Sequence, residues 1–66
     1  MRLKELRELR GVTLYRVARD SGIAWSWLKK VEEGEAGLRF ESAARVADAL
    51  GVSLDELAGR EWPRSA

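Results

Sequence analysis

Hydrophobic residues recur along the chain at intervals of three or four, the spacing that places side chains on one face of an α-helix. The first such face is followed by Gly11, a helix-stopping residue, and carries Leu3, Leu6, Leu9 and Arg10. Thr13 is a favourable N-terminal cap for a second helix, which ends near residues 20–21, before Gly22. The chain therefore begins with two predicted short amphipathic helices.

Two more helices follow the same logic. The third covers about residues 25–33 and is stopped by Gly34, and a loop occupies residues 35–39. The fourth begins at Phe40 and ends before Gly51. Its inward face is predicted to carry five apolar residues: Ala43, Ala44, Val46, Ala47 and Leu50.

A fifth helix is marked by a capping box, with a serine at the cap, Ser53, and a glutamate, Glu56, three residues later. This helix ends near Gly59, and no sustained alternation of polar and apolar residues competes as a strand. The pattern predicts an all-α fold, a compact bundle of five short helices in one domain over residues 1–59. Residues 60–66 are predicted to form a C-terminal tail.

Composition narrows the possible functions. The 66 residues contain no cysteine and no histidine, so disulfides, thiolate metal sites and the usual general base are excluded. The serines have no evident base beside them, and we expect neither an enzyme nor a metal or other cofactor. No apolar run approaches the roughly 18 residues of a membrane helix, and the N-terminus lacks a signal-peptide pattern. We expect a cytoplasmic protein that does not enter a membrane.

Charge is unevenly distributed although its total is only +1. Residues 1–30 carry eight basic and three acidic side chains, a net charge of +5, whereas residues 31–66 carry four and eight, a net charge of −4. A basic half suits a polyanion, and an acidic half suits a partner protein or simply solubility. Most of these charges are also compatible with solvated helix faces.

Several short motifs occur in a fixed order. The chain reads LRELRGVT over residues 6–13, VA over 17–18, SGI over 21–23, VEEG over 31–34 and LGVSLDEL over 50–57, with Leu28 between the third and fourth. This ordered set, which covers most of residues 3–57, resembles the lambda-repressor/Cro-like helix-turn-helix family. The resemblance implies a small stand-alone DNA-binding transcriptional regulator of a prokaryote or phage. Its partner would be double-stranded DNA, with the third helix in the major groove.

The resemblance also implies roles for individual residues. Four base-facing positions fall on the third helix: Trp25, Ser26, Lys29 and Lys30. The phosphate contacts would come from the starts of the second and fourth helices, at Thr13, Arg16 and Arg39. Arg7 is expected to form a structural ion pair with Glu32. The chain departs from the family at Leu14, where a phosphate-binding glutamine is usual, and at Ala24, where a serine or threonine cap is usual.

The base-facing residues suggest a sequence preference. Adenine is normally read by asparagine or glutamine, which this chain lacks, whereas lysine reads guanine O6 and N7. Lys29 and Lys30 are therefore expected to favour G·C pairs. Trp27 is expected to lie half-buried and support the turn. For Trp25 three interpretations remain: a contact to a thymine methyl or sugar, an anchor for a protein partner, or packing on its own domain.

Family members bind DNA half-sites about 34–36 Å apart with two recognition helices, so the resemblance implies a homodimer. The candidate dimer surface lies near the C-terminus, at Leu54, Leu57 and Trp62. The alternative function is a helix-turn-helix fold used as a protein–protein interaction module, with weak or no DNA binding. The partner would then be an antitoxin-type regulator or part of the transcription machinery.

Overall fold

A computed structural model of the chain describes residues 1–59, which form five α-helices and no strand. The helices are α1 (Leu3–Arg10), α2 (Leu14–Ser21), α3 (Trp25–Glu32), α4 (Phe40–Leu50) and α5 (Leu54–Ala58). The predicted all-α fold of five short helices is therefore confirmed. The third helix ends one residue earlier than predicted, because Glu33 is its C-terminal cap.

The ends of the helices follow from local chemistry. The Thr13 hydroxyl accepts a hydrogen bond from the backbone N–H of Arg16 at 3.1 Å and so caps α2. At α5 the predicted capping box is formed in both directions between Ser53 and Glu56. Gly22 ends α2 with φ of 74°, a left-handed conformation that favours glycine and produces the tight turn into α3.

The core lies where α4 meets α1, α2 and α5, and where α2 packs on α3. Every helix contributes at least one fully buried or nearly buried side chain, and the larger ones are Leu3, Leu6, Leu14, Val17, Leu28, Val31, Val46, Leu50 and Leu57. Leu14 therefore serves the core, which explains why an apolar residue is tolerated there. Ala44, predicted to face inward, is only half-buried on the flank of α4.

Two leucines lie where the sequence did not predict them. Leu9 is 75% exposed, although the spacing assigned it to the buried face of α1. At about 100° per residue it lies some 120° from Leu3, outside the arc that the other helices cover. Leu57 is completely buried and belongs to the core, so it cannot form the dimer surface suggested for it.

The ion pair expected between Arg7 and Glu32 is present and joins α1 to the end of α3. Arg7 Nε lies 2.7 Å from Glu32 Oε2, and Arg7 also donates to the carbonyl of Val12. The hydrogen bond to Glu32 raises the pKa of the Arg7 guanidinium above its ordinary value. Because only 3% of the Glu32 side chain is exposed, the pair fixes how α3 sits on the domain.

Candidate nucleic-acid interface

One face of α3 is buried and the opposite face is open to solvent. Leu28 and Val31 point into the core. The solvent-facing residues include all four positions assigned to base contacts: Trp25, Ser26, Lys29 and Lys30. At about 100° per residue these four lie within an arc of roughly 140°. They form one continuous surface, called the α3 outer strip from here on.

The turn before α3 is stabilised by a buried hydroxyl and by an apolar side chain that packs on the core. The buried hydroxyl of Ser21 donates to the carbonyl of Ala18 and accepts from the backbone N–H of Ile23 at 3.4 Å. Ile23 packs against the core. Ala24 supplies no side-chain cap, because its methyl group cannot accept a hydrogen bond. The entry to α3 is therefore positioned by Ser21 and Ile23 in place of a polar cap.

The two tryptophans of α3 have different environments. Trp25 is 49% exposed in the first turn, as part of the α3 outer strip. Trp27 is 45% exposed, and its indole Nε1–H donates to the carbonyl of Gly37 at 3.1 Å. Trp27 thus supports the loop that follows α3. The sequence had predicted that it supports the turn that precedes α3. The hydrogen bond is a loop contact that the spacing of residues did not reveal.

The residues assigned to phosphate contacts begin two different helices. Thr13 and Arg16 are exposed at the start of α2, and the Thr13 hydroxyl is engaged as the cap. Arg39 is the exposed N-cap residue of α4 and makes no side-chain capping bond. A helix N-terminus carries partial positive charge and free backbone N–H groups. Both places can therefore attract an anion.

Two carboxylates lie beside cations of the candidate interface, and Asp20 is one that the sequence did not suggest. Asp20 Oδ2 is 3.7 Å from Arg16 Nε, and Asp20 Oδ1 is 3.2 Å from Arg19 Nε. Glu33 Oε2 is 3.9 Å from Lys29 Nζ. The i,i+4 spacing of Arg16 with Asp20 and of Lys29 with Glu33 was the available signal. Among residues 1–59, neither Lys30 nor Arg39 has such a partner.

The fold buries two of the three residues suggested for the dimer surface, wholly or in part. Leu54 is partly buried and packs against the core, and Leu57 is part of it. Trp62 lies outside the described residues. Over residues 1–59, no group of His, Cys, Asp or Glu side chains could hold a metal ion. In the same range, no helix has the length and apolar character needed to cross a membrane.

Comparison with known proteins adds two findings. A family model described as a helix-turn-helix domain matches residues 1–59. Over 59 residues the chain is also 39% identical to the cryptic phage CTXphi transcriptional repressor RstR of Vibrio cholerae serotype O1. That match covers 89% of this chain and 53% of the relative. The chain therefore spans about half the length of this curated relative.

Proposed function

Because the chain belongs to the helix-turn-helix domain family, we propose that it is a small transcriptional regulator that binds double-stranded DNA. The α3 outer strip would enter the major groove, which is wide enough to admit a helix. The observation that carries this proposal is the solvent exposure of Trp25, Ser26, Lys29 and Lys30, opposite the buried Leu28 and Val31. Similarity to a transcriptional repressor supports repression as the mode of regulation.

Phosphate contacts would come from the beginnings of α2 and α4. Arg16 and Arg39 supply the charge, while Thr13 fixes the α2 terminus and the helix dipole adds to the attraction. Arg39 supports this role because it is exposed and has no carboxylate partner within residues 1–59. Such contacts set the register of a protein on DNA and leave sequence reading to the bases.

The α3 outer strip also suggests which bases are read. Lys29 and Lys30 are exposed, and lysine hydrogen-bonds to guanine O6 and N7. The chain has no asparagine or glutamine to read adenine. We expect G·C pairs at the centre of each half-site, with the exposed ring of Trp25 against a thymine methyl or a sugar. Two copies would bind two half-sites as a homodimer in the cytoplasm of a prokaryotic host.

The test is fluorescence polarisation with labelled duplexes at two salt concentrations. The variants are Lys29→Gln and Lys30→Gln, and the matched control is Lys4→Gln, an exposed lysine on α1. Binding should weaken steeply with salt because phosphate contacts release counterions. Each α3 variant should lose more affinity than the control. Equal losses in all three variants would contradict a role for the α3 outer strip.

A second candidate function rests on the exposed Trp25 at the start of α3 and on the acidic residues that follow the end of this helix. Glu33 and Glu35 are exposed after α3 and would repel phosphate, whereas a half-exposed tryptophan is a frequent anchor of protein interfaces. In that case the same surface would bind a partner protein. Absence of DNA binding at low salt, in a chain that circular dichroism finds folded, would favour this function over the first.

A further inference from the structure

Arg16 and Lys29, two cations of the proposed DNA surface, each have an internal carboxylate within 4.0 Å. Asp20 places one oxygen on Arg16 and the other on Arg19, at 3.7 Å and 3.2 Å. Glu33 lies 3.9 Å from Lys29, a member of the α3 outer strip. The two carboxylates therefore offset two of the four positive charges on the exposed faces of α2 and α3 before any DNA arrives.

Helix stability does not account for these carboxylates. Asp20 lies in the last turn of α2 and Glu33 is the C-cap of α3. The C-terminal end of a helix carries partial negative charge, so an acidic side chain there is unfavourable. In both i,i+4 pairs the cation also precedes the acid, which is the less stabilising order. The two helices consequently gain little from either residue.

We propose that Asp20 and Glu33 are intramolecular competitors of phosphate for Arg16 and Lys29, and so keep the affinity for DNA of arbitrary sequence low. This inference rests on the proposed DNA-binding function. A phosphate must displace the carboxylate from each cation, and a cation that is already neutralised contributes less to counterion release. Lys30 and Arg39, without such partners among residues 1–59, supply the remaining attraction.

The consequence concerns specificity. Discrimination between DNA sequences is a difference of affinities, and it improves when sequence-independent attraction is reduced. Base contacts by the α3 outer strip exist only at a matched site, so they are the contacts that can compensate for displacing Glu33 from Lys29. A chain without the two carboxylates would bind all DNA more tightly.

Charge-neutralising variants test this directly. Asp20→Asn and Glu33→Gln remove one negative charge each and keep the side-chain shape. Glu5→Gln is the matched control, because it removes the same charge and breaks the Arg2–Glu5 pair on α1, a helix without proposed DNA contacts. Binding to random-sequence duplexes is measured by fluorescence polarisation over a range of salt concentrations. Because both carboxylates oppose the helix dipole, the two variants are expected to fold.

Asp20→Asn and Glu33→Gln should each bind random DNA about two- to fivefold more tightly than Glu5→Gln, the range expected for releasing an exposed ion pair. Their affinity should also fall more steeply with salt. Introducing Lys29→Gln should abolish the gain produced by Glu33→Gln, because Glu33 acts through Lys29. A gain that persists without Lys29, or equal affinities in the control and both variants, would overturn the inference.

These failures are distinguishable from failure of the proposed function. If neither the unaltered chain nor any variant binds DNA at low salt, the DNA-binding function itself is wrong. If the unaltered chain binds and the three charge variants bind alike, only the role of Asp20 and Glu33 is wrong.

Discussion

The two partners of the Arg7–Glu32 ion pair differ in burial, so removing them should have unequal costs. The exposed fraction is 3% for the Glu32 side chain and 19% for that of Arg7. Arg7→Ala leaves a buried carboxylate without its cation. Glu32→Gln instead keeps an acceptor oxygen beside Arg7, which retains its bond to the Val12 carbonyl and some contact with water.

The magnitudes follow from this difference. Leaving one charge of a buried pair without its partner costs about 3–5 kcal/mol, which is the expectation for Arg7→Ala. Weakening a hydrogen bond to a charged group costs about 1.5–3 kcal/mol, and Glu32→Gln should lie near the lower end. A domain of this size has a total stability of roughly 3–10 kcal/mol. Arg7→Ala should therefore remove a large part of it.

Urea unfolding followed by circular dichroism at neutral pH measures both variants, and Arg10→Ala serves as the matched control. Arg10 is an exposed arginine on the same helix whose guanidinium donates to the Gly51 carbonyl at 3.2 Å. We expect the order Arg7→Ala, Glu32→Gln, Arg10→Ala from largest to smallest loss. A Glu32→Gln loss equal to or above that of Arg7→Ala would refute the reasoning from burial.

Three other substitutions have defined outcomes. Ala24→Ser should raise the free energy of unfolding by about 0.5–2 kcal/mol because α3 lacks a side-chain cap, and an unchanged urea midpoint would contradict this. Leu57→Ala should lower the free energy of unfolding by about 2–5 kcal/mol because the side chain is fully buried. A small loss of stability together with a change of oligomeric state would instead show that Leu57 lies in an interface between copies of the chain. The backbone N–H of Ser53 lowers the pKa of Glu56 below its usual 4.5. The stability it contributes is therefore present above about pH 4.5 and is lost as pH falls through the lowered pKa. Glu56→Gln, which does not titrate, should lose less stability over that range in urea titrations, and an identical pH profile would argue against the capping box as its cause.

Features determined within a few residues were predictable from the sequence. Thr13 and Ser53 cap their helices because a hydroxyl at that position meets the free N–H groups of the first turn. Gly22 ends α2 because the left-handed conformation suits glycine. Leu28 and Val31 lie three positions apart in α3, the spacing that places both side chains on its buried face.

Features that depend on how helices meet were not predictable in the same way. The periodicity of α1 could not separate Leu9 from Leu3, because the width of the covered face depends on the neighbouring helices. Leu57 was assigned to an outer surface for the same reason. The bond from Trp27 to Gly37 depends on the path of a loop that carries no periodic pattern. The resemblance to a known family supplied the Arg7–Glu32 pair, which spans 25 positions of the chain and which spacing alone does not indicate.

The central claim is that the α3 outer strip contacts DNA, and a nuclear magnetic resonance titration of the ¹⁵N-labelled chain with duplex DNA tests it most directly. The account predicts that the backbone signals of Ser26, Lys29 and Lys30 and the indole N–H of Trp25 shift as duplex is added. The signals of α5, which carries no proposed contact, should stay in place. Shifts confined to α1 or α5, or no shift at α3 while the DNA is bound, would contradict the account.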